Sequence, residues 1–186
     1  MKNTLFTADQ IRTASGAFVD ILNPQPESIR IEDIAHALSN LCRWAGHTVG
    51  FYSVAQHSYL TASQVPPEHK MAALLHDATE AYLVDIPRPL KKHLPEYQRI
   101  EHDLMKVIAK RFGFQFPFDP IVKKADEMML AIEWDNLMVC RKPSKHTYLP
   151  RSLSCDTPAD AKKEFLSSFF AIKANAPLHV FYANNI

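Results

Sequence analysis

The sequence predicts an all-α protein that forms one domain over residues 1–186. Three observations favour this class. The chain contains 4 glycines, which is too few for a protein rich in tight turns. Apolar residues recur at helical spacing over several long stretches, and prolines stand at the ends of those stretches. A hydrophobic content of 47% is sufficient for one buried core.

The N-terminal region departs from the helical pattern. In "SGAFVDILNPQPESIRIED", residues 15–33, two short patches of β-branched and aromatic residues flank a proline turn. This arrangement predicts a small β-hairpin appended to the helical body.

Six helices are predicted after the hairpin from apolar spacing and from residues that start or stop helices. Glycines and prolines set most of their boundaries. The predicted bounds are Ile34 to Gly46, Tyr52 to Val65, Glu68 to Val84, Pro95 to Gly113, Asp119 to Arg141, and Pro158 to Ala174 with Asp156 or Thr157 as its cap.

Charge and cysteine content exclude several classes of partner. The 21 basic and 20 acidic residues nearly cancel, so we expect neither a nucleic-acid nor a membrane partner. The 3 cysteines have no C-x-x-C spacing, which favours a reducing compartment. With no signal-peptide pattern and no run of about 18 apolar residues, the protein is expected to be cytoplasmic.

The apolar segment "FLSSFFAI", residues 165–172, is a candidate contact in a homo-oligomer, with core packing as the alternative.

A His-Asp dipeptide stands in "LLHDATEAYLVDIPRPLK", residues 74–91. Within the third predicted helix Glu80 shares a face with His76 and Asp77, because residues three and four apart are neighbours. Imidazole and carboxylate groups suit a divalent ion, and two ligands from one helix leave positions open for water and substrate. The stretch therefore predicts part of a metal site.

Two further residues are candidates for the remaining ligands. His57 lies among small and apolar residues of the second predicted helix, and Asp126 lies beside inward-facing Ala125 in the fifth. A buried carboxylate is costly unless it is paired or bound to a metal. The alternatives are a hydrogen-bonded core histidine, and an acid paired with Lys123 or Arg43.

A second His-Asp dipeptide, formed by His102 and Asp103, shows that the dipeptide alone is not diagnostic. It lies among charged residues on a face that we expect to be solvated. We therefore interpret it as structurally incidental.

The ordered set of His57, His76 with Asp77, and Asp126 on successive predicted helices resembles the HD-domain metal-dependent phosphohydrolases. The segments "CRWAGH", "YSVAQHS", "LLHDATEAYLVDIPRPLK" and "VKKADEMML" are similar to the branch that contains bacterial 5'-deoxynucleotidases and phage dATP triphosphohydrolases. The resemblance spans about residues 16 to 135 and implies an HD-domain helical bundle.

The resemblance also implies roles for individual residues. According to this resemblance the metal ligands are His57, His76, Asp77 and Asp126. The catalytic residues are Asp77 and Glu80. Arg43 and Trp44 match a pair that contacts phosphate and nucleoside, Asp85 matches an acid that faces the sugar, and Lys91 and Lys123 match lysines that reach the phosphates. Arg88, on the same proline-stiffened loop as Asp85, is a further candidate for binding substrate. Trp44 in the core, Asp85 as a helix cap and Arg88 in solvent are the alternatives.

These matches imply metal-dependent hydrolysis of a small deoxynucleotide. The favoured form is a dNTP triphosphohydrolase, with dATP as the leading substrate, because little sequence separates Lys91 from Asp126. The alternative is a 5'-deoxynucleotidase that acts on dNMPs. Rival classes are a cyclic-nucleotide or alarmone hydrolase and a non-catalytic nucleotide-binding regulator. The expected ion is Mn²⁺, Fe²⁺, Co²⁺ or Zn²⁺, with Mg²⁺ as a candidate second ion.

Overall fold

A computed structural model of the protein describes residues 10–138 and 153–174. Helices dominate these residues, and a two-stranded antiparallel hairpin precedes them, so the predicted all-α class with a small N-terminal hairpin is confirmed. In chain order the elements are β1 (Gln10–Arg12), β2 (Phe18–Asp20), α1 (Ile31–Asn40), α2 (Val54–Ala62), α3 (Lys70–Leu74), α4 (Glu80–Leu83), α5 (Arg88–Lys91), α6 (Pro95–Phe112), α7 (Pro120–Leu137) and α8 (Pro158–Ala174).

The hairpin begins earlier in the chain than predicted. Strands β1 and β2 pair with Ile11 opposite Val19, so the proline turn of residues 15–33 follows the hairpin instead of joining its strands. The second predicted patch becomes a 3-10 turn and the start of α1. Glu32 and Asp33 favour that helix start, because acids in a first turn interact well with the helix dipole.

Asp33 also ties the hairpin to the helical body. Its carboxylate accepts hydrogen bonds from the Thr13 hydroxyl at 2.8 Å, and from the Ser15 amide and hydroxyl at 2.7 Å each. Burial raises the pKa of Asp33, but these hydrogen bonds and the charge of Arg30 outweigh it and hold the pKa below its usual value. The hairpin loop is therefore fixed to the first turn of α1.

The first helix ends at Asn40, so the predicted end at Gly46 is wrong. Leu41 has extended backbone angles, and Cys42 forms an antiparallel bridge with Ser53. Trp44 and Ala45 then take left-handed backbone conformations, with φ of 57° and 49°. Such angles are costly for residues with a side chain and are incompatible with a continuing helix.

The third predicted helix is also interrupted. Between α3 and α4 the chain makes a series of tight turns, in which the Ala78 amide donates to the Leu75 carbonyl and the Glu80 amide to the Asp77 carbonyl. The prediction that Glu80 shares a helical face with the His-Asp dipeptide is therefore wrong in its geometry. The dipeptide lies on a turn between two short helices, and α4 ends at Leu83, which is followed by Val84 with a φ of 67°.

The remaining helices agree with the sequence more closely. Helix α2 is shorter than predicted and is capped by Ser53, whose hydroxyl accepts from the Gln56 amide. Helix α6 ends on left-handed Gly113 as predicted. Helix α7 ends at Leu137, and the predicted end at Arg141 lies outside the described residues. Helix α8 has its predicted bounds, with Thr157 accepting from the Asp160 amide.

The core lies between α8 and the helices α1, α2 and α3. Phe165 and Phe169 of the "FLSSFFAI" segment are buried there, whereas Phe170 is 52% exposed. Core packing thus accounts for most of that segment, and the homo-oligomer remains a prediction. No helix in the described ranges is long and apolar enough to cross a membrane.

Candidate metal centre

The four predicted metal ligands meet around one nitrogen atom. His57 is fully buried at the centre of α2. Its Nε2 lies 3.2 Å from His76 Nε2, 3.2 Å from Asp126 Oδ1 and 3.7 Å from Asp77 Oδ2. Helix α2, the turn before α4 and helix α7 therefore each deliver a side chain to the same point.

The orientations of the two imidazoles suit a metal ion. His57 uses Nδ1 to contact Glu133 Oε1 at 2.5 Å, and His76 uses Nδ1 to contact the Ala73 carbonyl at 2.7 Å. Histidine ligands of metals characteristically bind a carboxylate or carbonyl with their second nitrogen. Ligand atoms of His57, His76 and Asp126 lie within 4.8 Å of one another, so the donor set fits a divalent ion.

Glu133 is a site residue that sequence reasoning missed. It is 0% exposed, and its carboxylate contacts Tyr52, Arg43, Trp44 and His57. Burial raises the pKa of Glu133, but the charges of His57 and Arg43 outweigh it and lower the pKa to about 2. The available signal was an acid placed on the inward stripe of α7.

Arg43 and Trp44 lie next to these groups. Arg43 is buried, with Nε 3.1 Å from Glu133 Oε2 and Nη1 3.3 Å from Asp77 Oδ2. Burial lowers the pKa of Arg43, but Glu133 and the neighbouring acids outweigh it and raise the pKa. The indole of Trp44 donates to Glu133 Oε2 at 3.2 Å and is partly exposed.

Asp126 has a different partner from those considered in the sequence. Its Oδ2 pairs with Arg88 at 2.9 Å, while Lys123 pairs with Glu127 at 4.0 Å. Arg88 is thus held at the site despite its exposure. Burial raises the pKa of Asp126, but the hydrogen bond and charge of the nearby histidines outweigh it and hold the carboxyl well below its usual pKa.

His57 lies between opposing charges. Burial and the charge of Arg43 lower the pKa of His57, but Glu133 and Asp126 outweigh them and raise it to about 9. The carboxylates around this ring thus attract positive charge to the centre of the cluster.

Glu80 and Asp85 form an acidic pair beside the cluster. Burial raises the pKa of Glu80, and the charges of Asp77 and Asp85 raise it further. Its Oε2 has no hydrogen-bond partner among the described residues. Burial also raises the pKa of Asp85, although Arg43 acts in the opposite direction. Pro87, not Asp85, is the cap of α5, so the capping alternative for Asp85 is wrong.

A cavity of about 800 Å³ opens beside the ligands and extends between α5, α6 and the start of α7. This volume is typical of a site for a small molecule. Its lining includes the acids and imidazole of His76, Asp77 and Asp126, the cations Arg88, Lys91, Lys92 and Lys123, and the apolar side chains Met105, Phe116 and Phe118. Lys91 is paired with Glu101, whereas the side chain of Lys123 is 77% exposed.

The second His-Asp dipeptide is not part of the cluster formed by His57, His76 and Asp126. Asp103 forms surface ion pairs with Arg99 and Lys106 on α6. His102 is exposed and packs against Phe116 at the edge of the cavity, with ring centroids 5.1 Å apart. Its predicted surface position is confirmed.

No protein-family model matches the chain. The chain is 49% identical over 125 residues to the uncharacterized protein YfdR of Escherichia coli (strain K12). The matched region covers 66% of this chain and 69% of that protein. It is 35% identical over 140 residues to the uncharacterized protein RCAP_rcc00048 of Rhodobacter capsulatus. Here the matched region covers 68% of this chain and 71% of that protein.

Proposed function

The chain belongs to the same family as these two bacterial proteins, and we propose that it is a metal-dependent phosphohydrolase that acts on deoxynucleotides. The observation that carries this proposal is the convergence of His57, His76, Asp77 and Asp126 at the wall of a cavity that is lined by basic side chains. Imidazole and carboxylate ligands next to several cations suit a substrate that carries phosphate groups.

Cys42 and Cys155 are both free, which is consistent with a protein of the cytoplasm.

His57, His76, Asp77 and Asp126 would hold the ion. When bound, a divalent ion lowers the pKa of a coordinated water and neutralises phosphate oxygens. Arg43 is anchored by Glu133 and Asp77, so it offers a fixed positive charge beside the ligands. Glu80, with an unpartnered Oε2 and a raised pKa, can hold a proton close to the reacting groups.

The preferred substrate is a dNTP, dATP being the leading candidate, and the products are a deoxynucleoside and triphosphate. Support comes from the cations that line the cavity: Lys92 and Lys123 lie there together with Arg88 and Lys91, which are paired with Asp126 and Glu101. Trp44 and Asp85 are not among the residues that line this cavity, so their contact with the nucleoside rests on the family resemblance. A 5'-deoxynucleotidase is the alternative, because a dNMP would use the same ligands with fewer of the lysines.

A product assay tests the proposal. The protein is incubated with Mn²⁺ or Co²⁺ and a panel of dNTPs, dNMPs, cyclic nucleotides and alarmones, and the products are separated by ion-exchange chromatography. Free triphosphate is the expected product, and phosphate released from dNMPs would support the alternative. Opened cyclic esters, cleaved alarmones or no product would each contradict the proposal.

The two His-Asp dipeptides provide a matched pair of variants. Asp77→Ala removes a candidate ligand and is expected to lower kcat by at least about 100-fold, as loss of a group that holds a catalytic ion does. Asp103→Ala removes only surface ion pairs and should leave kcat unchanged. Full activity in Asp77→Ala would mean that the site is wrongly assigned.

A further inference from the structure

Glu133 joins both halves of the candidate site. Its Oε1 accepts from His57 Nδ1 at 2.5 Å and from the Tyr52 hydroxyl at 3.1 Å. Its Oε2 accepts from Arg43 Nε at 3.1 Å and from Trp44 Nε1 at 3.2 Å. One carboxylate therefore contacts a candidate metal ligand and the two candidate substrate-binding residues at the same time.

Such a carboxylate is costly to bury unless it is fully compensated. Glu133 is 0% exposed, so its contacts must come from protein groups. Four donors divided between two oxygens satisfy most of its capacity to accept hydrogen bonds. Because the buried carboxylate of Glu133 needs these hydrogen bonds, it constrains the positions of all four donor side chains.

We infer that Glu133 is a positioning residue that prepares His57 for metal binding and holds the Arg43–Trp44 turn against the same centre. The inference rests on the proposed function. When His57 is neutral, as a metal ligand must be, donation to Glu133 places its proton on Nδ1 and leaves the lone pair of Nε2 directed at His76 and Asp126. Without this acceptor the ring can reorient or change tautomer.

The backbone of the turn supports the second part of the inference. Trp44 and Ala45 have φ of 57° and 49°, which residues with a side chain adopt only when the surroundings impose them. The bond from the indole to Glu133 is one such restraint. A second is the bond from the Val49 amide to the Leu137 carbonyl, which ties the following loop to the end of α7.

Metal affinity measured by isothermal titration calorimetry with Mn²⁺ tests this role without any assay of hydrolysis. Glu133→Gln keeps the side-chain volume but offers one acceptor oxygen in place of two, so one of its two donor pairs loses its partner. The Kd for Mn²⁺ is expected to rise about 10- to 100-fold, as for other residues that orient metal ligands.

Asp33→Asn is the matched control, because Asp33 is likewise a buried carboxylate with three hydrogen bonds but belongs to the hairpin contact. Its Kd for Mn²⁺ should equal that of the wild type. Wild-type affinity in Glu133→Gln, or an equal loss in both variants, would overturn the inference. If Glu133→Gln does not fold, as judged by circular dichroism, Tyr52→Phe decides: a smaller rise in Kd supports the inference, and an unchanged Kd overturns it.

The same titration separates this inference from the proposed function. A wild-type protein that binds no Mn²⁺ contradicts the proposed function and the role of Glu133 with it. A wild-type protein that binds Mn²⁺, together with an unchanged Glu133→Gln variant, contradicts the positioning role alone.

Discussion

Three candidate ligand side chains have one polar atom already engaged and the other directed at the centre of the cluster. His57 engages Nδ1 with Glu133, His76 engages Nδ1 with the carbonyl of Ala73, and Asp126 engages Oδ2 with Arg88. A ligand atom that is oriented before binding loses little conformational freedom when the ion arrives. The geometry of single residues thus favours a prepared site over one that the ion must assemble.

Two neighbouring lysines test the role of the basic residues that line the cavity. Lys123 lines the cavity, whereas the adjacent Lys124 is not among the described lining residues. Lys123→Ala should lower kcat/KM for a dNTP about tenfold, which corresponds to about 1.4 kcal/mol, because it removes a charged contact to phosphate. Steady-state kinetics should show no change for Lys124→Ala. Equal effects in the two variants would indicate general electrostatic attraction and not a contact in the cavity.

Asp33 predicts a pH dependence of stability. Its pKa is lowered in the folded state, so its contribution is present at neutral pH and disappears as the pH falls below about 4. Asp33→Asn should lower the free energy of unfolding by about 1–3 kcal/mol at pH 7, through loss of hydrogen bonds to a charged group. The difference from wild type should narrow at about pH 3, as measured by urea unfolding. A difference that is the same at both pH values would contradict this role.

At the scale of elements, the turn after α1 stores backbone strain next to the site. Ala45 is exposed and has φ of 49° and ψ of 30°, a conformation that glycine adopts without strain. Ala45→Gly should raise the free energy of unfolding by about 0.5–1 kcal/mol, which is the relief of strain less the entropy of glycine.

The same substitution in a helix gives the opposite expectation. Ala37 lies within α1, where a change from alanine to glycine costs about 1 kcal/mol. Thermal and urea unfolding of Ala45→Gly and Ala37→Gly should therefore show shifts of opposite sign. A loss of stability in both variants would mean that the left-handed turn carries no strain.

The sequence predicted elements wherever apolar spacing and terminal signals agreed. Helices α6 and α8 have both a proline start and a clear stop, and their bounds were close to those predicted. The end of the third predicted helix at Val84 was close to the observed end of α4. The break after α1 and the interruption between α3 and α4 were missed. Trp44 and Ala45 take positive φ after α1 although their residue types carry no turn signal, and the turns between α3 and α4 lack a glycine or proline. Tertiary contacts impose these conformations.

The same limit applies to the site. His57, His76, Asp77 and Asp126 were selected as candidate ligands from their order and from a resemblance to a known family, and the structure brings their side chains together. Glu133 was not, because its role depends on four donors from distant parts of the chain. Its position on an apolar stripe is a sign of burial but does not specify which partners it meets.

At the scale of the whole molecule, α2 connects the core to the site. It packs against α1, α3, α7 and α8, and it carries His57. The segment before α8 is bound to the same helix: Gln56 donates to the Ser154 carbonyl at 2.8 Å and accepts from the Asp156 amide at 2.9 Å. The segment before α8 thus stabilises the helix that carries the candidate ligand His57.

The central claim is that His57, His76, Asp77 and Asp126 bind a divalent ion, and metal content after equilibrium dialysis against Mn²⁺ tests it most directly. The wild type should retain about one ion per chain. Asp126→Asn, which has nearly the same shape, should retain less than about a tenth of that amount. An Asp103→Asn control should match the wild type. A metal-free wild type, or equal retention by Asp126→Asn, would contradict the account.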